Sequence, residues 1–172
     1  LLYSTNITIN NTYVNGSVYG IYINECEGMM LTNIWFKMAS IYLLGTNLSH
    51  FRTHVISNIN VNGRPLYYIK DYSNYVLPDD IGAAIIVNST NVTITDAGIS
   101  NTTIGLTIAY SSRCDVRWCN LDSNYIGINM IHSDNCTIFY NNISNSTNYG
   151  IKLDQSSKNN RIYKNNFLGN NI

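Results

Sequence analysis

The sequence predicts an all-β fold: a right-handed single-stranded parallel β-helix of about 22 residues per coil and seven to eight coils, with residues 1–172 forming one domain. Three observations carry this. A nine-residue frame recurs at near-constant spacing, an apolar residue follows five positions after each frame, and a Gly-apolar-x-apolar element precedes several of them.

The frame is clearest at residues 86–94, 108–116 and 130–138, spaced by 22 and 22 residues. A fourth begins at Leu153 after 23 residues, with one extra residue before Ile162. Earlier copies fall at residues 43–51, 23–31 and 1–9, with an irregular one near Leu66. Each frame closes on an apolar residue paired with a second one five positions on: Ile9/Val14, Leu31/Phe36, Phe51/Ile56, Ile94/Ile99, Val116/Leu121, Ile138/Ile143 and Ile162/Phe167. Ahead of the frame, Gly20, Gly105, Gly127 and Gly150 open short strands. Successive strand side chains face opposite sides, so Ile21 and Ile23, Leu106 and Ile108, Ile128 and Met130, and Ile151 and Leu153 point to one side, the core. A single coil cannot bury that face alone, whereas stacked coils complete it. A leucine-rich repeat has a similar period, but here a second strand follows the alternation instead of a helix.

Asn120, Asn142 and Asn166 share one place in the repeat, before the apolar residue of the third strand. Stacked there, their amides bond to one another and to turn backbone, a stabilising ladder. Cys114 and Cys136 fall in register on an inward position also taken by Val92. Strand spacing allows a disulfide, but a buried thiol stack is the favoured reading, since Cys packs as a small apolar side chain.

Formal charge is zero and 12% of residues are charged, which argues against electrostatic capture of nucleic acid or anionic lipid. No apolar run reaches the roughly 18 residues a membrane span needs. Asn-x-Ser/Thr triplets beginning at Asn6, Asn10, Asn15, Asn47, Asn88, Asn91, Asn101, Asn135, Asn142 and Asn145 suit an extracellular or cell-surface protein. Four cysteines are too few for a disulfide scaffold. Leu1 begins inside a frame and Ile172 stops at an apolar position, so both open ends are expected to meet more chain or another subunit.

Carboxylates are the candidate catalysts. A glycosidase needs two of them roughly 5 to 9.5 Å apart, yet Asp115 falls between Thr93 and Thr137, Asp154 lies over Ile131, and Asp122 lies between Ser100 and Ser144. The regular coils therefore bring no two carboxylates into register. The irregular part is an excursion at residues 64–82, expected to replace two strands with a Tyr-rich, acidic loop. Its Tyr67, Tyr68, Asp71, Tyr72, Asp79 and Asp80 are the candidate ligand-binding residues, because loops on a solenoid commonly carry function. The competing expectation, and the favoured one, is that its tyrosines cover an outward apolar stripe of Ile85, Val87, Ala109 and Ile131. Left uncovered, that stripe would be a self-association surface.

Residues 61–69, Val-Asn-Gly-Arg-Pro-Leu-Tyr-Tyr-Ile, and 84–94, Ala-Ile-Ile-Val-Asn-Ser-Thr-Asn-Val-Thr-Ile, resemble the NosD-like group of right-handed β-helix repeats. Such repeats are common in archaeal surface, S-layer-associated and adhesin-like proteins. The group's name derives from a protein linked to copper-site maturation, so the resemblance raises copper. No metal site and no cofactor is expected here: His50 and His54 share a coil, His132 is coils away, and Met29 and Met30 belong to a different strand.

The expected function is thus a non-catalytic β-helix module of a secreted or cell-surface protein. It would act as a rigid structural or adhesive element contacting cell-surface glycans, through outward tyrosines such as Tyr22 and Tyr42, or contacting other surface subunits. The alternative is a fragment of a β-helix polysaccharide lyase or glycoside hydrolase, since the fold serves both. An acidic cleft with one Arg or Lys opposite would separate the two.

Overall fold

A computed structural model describes residues 1–154 and 156–171 of the chain; Ile172, read above as an apolar end, lies outside them. About seven coils of roughly 22 residues stack as a parallel β-helix. In the second part of the chain every regular coil has three strands. Ala83–Val87, Ile104–Ala109, Ile126–Ile131 and Tyr149–Leu153 form one sheet face, and Thr90–Thr95, Asp115–Arg117, Thr137–Phe139 and Arg161–Tyr163 a second. Gly98–Ser100, Asn120–Asp122, Asn142–Ser144 and Asn166–Leu168 form the third. Register follows the repeat: Ile108 lies between Ile86 and Met130, Leu153 pairs with Met130, and Ile162 with Ile138 past the extra residue. No helix of the described residues is long and apolar enough to cross a membrane.

Two physical demands of the coil explain its composition. Bends between strands need left-handed backbone, which Asn tolerates better than most residues; Asn101, Asn135 and Asn145 hold φ of 53°, 56° and 53°. Bends also strand polar backbone groups inside the helix, which must be paired. Asn141, 2% exposed, accepts the Cys119 N–H at 2.9 Å and donates to the Val116 carbonyl at 2.9 Å. Asn124 does the same for the Thr102 N–H and the Ile99 carbonyl, and the hydroxyls of Ser89, Ser111 and Ser133 form a ladder in which each accepts an N–H of the preceding coil, from Tyr72, Ser89 and Ser111. The predicted ladder of Asn120, Asn142 and Asn166 is present on the outside, with successive amides 2.8 Å apart. Glycine has a steric role at Gly127, where a Cβ would come within 2.5 Å of the Gly150 carbonyl oxygen of the next coil.

The coils do not form one column. Asn62 (φ 53°) and Gly63 (φ 89°) make a tight turn, after which Arg64 and Pro65 pair antiparallel with Val61 and Asn60. The first stack, built on Thr8–Asn15, Met30–Lys37 and Val55–Val61, therefore hands over to a second that runs back beside it. Cross-links show the direction: Tyr19 meets Tyr125 (hydroxyls 2.8 Å apart), the Ser40 N–H donates to the Thr103 hydroxyl at 2.8 Å, and Val61 borders Gly82. Rising numbers in one stack meet falling numbers in the other.

This arrangement corrects several expectations. Residues 64–82 are not a loop excursion. Arg64–Lys70 and Ser73–Val76 are strands, with Leu66 opposite Ala83 and Tyr75 opposite Val92, a coil shortened by omitting its third strand. Phe51 does not close a strand frame. It sits in a one-turn helix, Ser49–Arg52, an insertion that lengthens its coil so that Ile56 pairs with Leu31 and Val61 with Phe36. The outward stripe of Ile85, Val87, Ala109 and Ile131 is neither a free surface nor covered by loop tyrosines alone. It joins one buried core with Phe51 and Leu43 of the first stack, Tyr68 packing at its margin. Tyr42, expected to face outward, is 6% exposed within a cluster with Tyr19, Tyr22 and Tyr125 at the seam. Burial pushes its hydroxyl pKa up to about 12.

Candidate functional site

The six candidate residues of the shortened coil divide by strand geometry. Alternation along Arg64–Lys70 turns Tyr67, opposite Ala84, into the core of the second stack and Tyr68, opposite Ile85, out toward the first. The Tyr68 hydroxyl donates to the Phe51 carbonyl, and burial pushes its pKa well up. Lys70 reaches the carbonyls of Arg52 and His54, both at 2.9 Å. Asp71 accepts from the Asn88 amide at 2.6 Å and from Arg52 Nε at 2.8 Å; the Asn88 bond first, then Arg52, hold its carboxyl below the usual range. These contacts fasten the helix insertion to the second stack. Tyr72, 46% exposed, packs edge-on against Tyr75 at 5.0 Å.

Asp79 and Asp80 lie elsewhere, in a shallow hollow of about 280 Å³ shared with Arg64, Asp96 and Gly98. Arg64 Nε stands 3.3 Å from Asp80, its terminal nitrogen donates to the Gly98 carbonyl at 2.7 Å, and Asp96 accepts the Thr95 hydroxyl at 2.7 Å. Asp71, held by Arg52 and Asn88, is not part of this group. The six residues therefore do not converge on one site.

Sequence reasoning missed a hollow at the seam. Tyr13 and Trp35 occupy in-register positions on adjacent coils, with Asn60 opposite Trp35 on the third. The rings are 63% and 46% exposed and form one wall of a hollow of about 520 Å³, closed on the other side by Ser100 and Asn101 of the second stack. Asn62 is the clamp at its base: its carbonyl oxygen accepts the Met38 N–H at 2.7 Å, and its amide donates to the Ser100 and Asn101 carbonyls at 2.8 and 3.0 Å. The 22-residue spacing of Tyr13 and Trp35 was visible in the sequence. Their opposition to Asn101 depends on the hairpin and was not.

The soft donors do not suit copper. His54 Nδ1 accepts the Met29 N–H at 3.2 Å, so Nε2 carries its proton to the His50 carbonyl at 2.8 Å, leaving no lone pair for a metal. Its burial pushes the pKa down, keeping the ring neutral. His50 Nδ1 likewise accepts the Thr46 N–H at 3.2 Å. His132 is stacked on Tyr110 at 4.6 Å with Nε2 3.7 Å from Asp154. Among the described residues no three His, Cys, Asp or Glu side chains converge as metal donors. The cysteines are free thiols buried in the core, Cys114 and Cys136 in the expected stack, with burial raising the Cys119 pKa to about 11.

No curated protein matches the chain. The family described as Periplasmic copper-binding protein (NosD) matches residues 49–172, from the helix insertion through the whole second stack. That match covers well over half of the sequence, so the chain belongs to the NosD family.

Proposed function

We propose that this chain is a non-catalytic β-helix module working outside the cytoplasm, a rigid structural or adhesive element. The observation that carries the reading is the employment of its carboxylates. Asp122 accepts from Ser144 at 2.6 Å and Asn145 at 2.8 Å, and three hydrogen bonds, from Ser144, Asn145 and Ser123, hold its carboxyl below the usual range. Asp154 accepts the His132 N–H at 3.0 Å and the Ser157 hydroxyl at 2.8 Å, and Asp134 the Lys158 N–H at 2.6 Å. Each braces one coil against the next. A catalytic carboxylate instead needs a proton it can give or take at a substrate.

The periplasmic description of the family supports an extracytoplasmic location, and the many glycosylation triplets suit an exported chain. Cell-surface glycans and neighbouring subunits are the partners this reading favours. The test is direct: the purified chain is incubated with neutral and acidic polysaccharides while new reducing ends and unsaturated uronate absorbance are followed. No turnover is expected, and turnover that survives repurification would overturn the reading.

One observation favours a second reading, a β-helix lyase or hydrolase fragment: the hollow in which Asp79, Asp80 and Asp96 face Arg64. There, Arg64 already pairs with Asp80. If turnover were found, Asp79→Asn and Asp96→Asn would abolish it under this reading and leave it intact otherwise.

A further inference from the structure

We propose that the seam hollow walled by Tyr13, Trp35, Asn60 and Asn101 is a binding site for a neutral oligosaccharide. The inference gives a ligand class to the adhesive module proposed above, at a site distinct from residues 64–82.

The chemistry of the walls selects the ligand. Tyr13 and Trp35 project from neighbouring coils, one strand spacing of about 4.8 Å apart at the backbone, and offer broad apolar faces to solvent. A pyranose ring presents a C–H face that packs on such a surface and a rim of hydroxyls that must be hydrogen-bonded when water leaves. The rim partners are neutral amides and a hydroxyl. Asn60 uses its carbonyl oxygen for the Gly63 N–H at 2.8 Å, which leaves the two amide protons to donate. Asn101 and Ser100 face it across the seam.

Charge argues for a neutral sugar. Lys37 is the one charged side chain among the residues lining the hollow, and no carboxylate lines it. An acidic sugar would call for paired cations, and a cationic peptide for carboxylates. A volume of about 520 Å³ lies within the range of pockets that hold small ligands. The floor is pre-formed, because Asn62 ties both stacks together beneath the rings.

The chain has two tryptophans, Trp35 at the hollow and Trp118 away from it, so the indole N–H signals serve as probe and internal control. The folded chain is titrated with hexaoses of β-glucose, α-glucose and N-acetylglucosamine, and with hexagalacturonate. At least one neutral hexaose is expected to shift the Trp35 indole and leave Trp118 in place. Trp35→Ala and Tyr13→Ala, their rings 46% and 63% exposed, should each stay folded by circular dichroism and weaken that binding tenfold or more when affinity is measured by isothermal titration calorimetry.

The proposal is overturned if no neutral hexaose moves Trp35, if hexagalacturonate binds more tightly, or if Trp35→Ala retains affinity. It is equally overturned if the Trp35 signal moves with protein concentration alone, which would make a second copy the occupant. Failure here, with folded variants that remain inert toward polysaccharides, would leave the non-catalytic module standing without this ligand. Polysaccharide turnover would remove the module reading itself.

Discussion

Removal of the Phe51 ring tests how the two stacks are joined. Phe51 is 0% exposed, carried by the one-turn helix of the first stack, and its ring lies 5.6 Å from that of Tyr110 in the second. Truncating a buried Phe to Ala costs about 3–5 kcal/mol through lost transfer energy and the cavity left behind. Such a loss is a large fraction of the ~5–15 kcal/mol typical of a whole domain. Part of it should belong to the partner across the seam. In a double-mutant cycle of Phe51→Ala with Tyr110→Ala, a coupling of about 0.5–1.5 kcal/mol is expected for an aromatic pair. Urea unfolding followed by circular dichroism supplies the four stabilities, with Phe167→Ala as the control. Phe167 is 50% exposed in the last coil, and its loss should cost less than about 1 kcal/mol. A Phe51→Ala cost below that of the control, or additivity within about 0.3 kcal/mol, would refute docked stacks.

Two further outcomes follow from the ladders. Asn141→Ala strands the Cys119 N–H and the Val116 carbonyl inside the coil and should cost about 2 kcal/mol or more, whereas Asn142→Ala in the exposed ladder should cost under about 1 kcal/mol, both read by thermal unfolding. Asp122 has a folded pKa below its unfolded one, so its stabilisation is present above the unfolded pKa of about 4 and is lost as pH falls through the folded value. Asp122→Asn should therefore flatten the decline of melting temperature below about pH 4, and an unchanged acid profile would contradict the assignment.

Much of the fold was legible because a solenoid repeats its physics. The spacing of Ile86, Ile108 and Met130 fixed strand register, since the same side chain must meet the same neighbour on each coil. The outer asparagine ladder was legible for that reason too. The buried one, Asn141 with Asn165, occupies the adjacent position but was not picked out, because sequence does not say which of two neighbouring amides turns inward. The other misreadings trace to departures from the period. At Phe51 an apolar residue at the right spacing serves a helix turn. At Asn62–Gly63 a two-residue turn reverses the chain, and nothing in the local pattern tells a hairpin between coils from an ordinary bend. The covered stripe, the buried Tyr42 and the seam hollow all depend on that reversal. Of the candidate ligand residues, Tyr67 packs against the core because residues 64–70 keep strand alternation, which the Gly-Arg-Pro at their start obscures.

The side-by-side stacks are tested most directly by a nuclear Overhauser contact between the ring protons of Tyr19 and Tyr125, whose centroids lie 5.2 Å apart. In a single uninterrupted column these residues would be separated by about five coils, roughly 24 Å, far beyond the reach of the effect. The folded-back arrangement requires a cross-peak between the two rings that disappears in Tyr125→Ala; its absence from the folded protein, with both ring systems assigned, would contradict the arrangement and the seam hollow built on it.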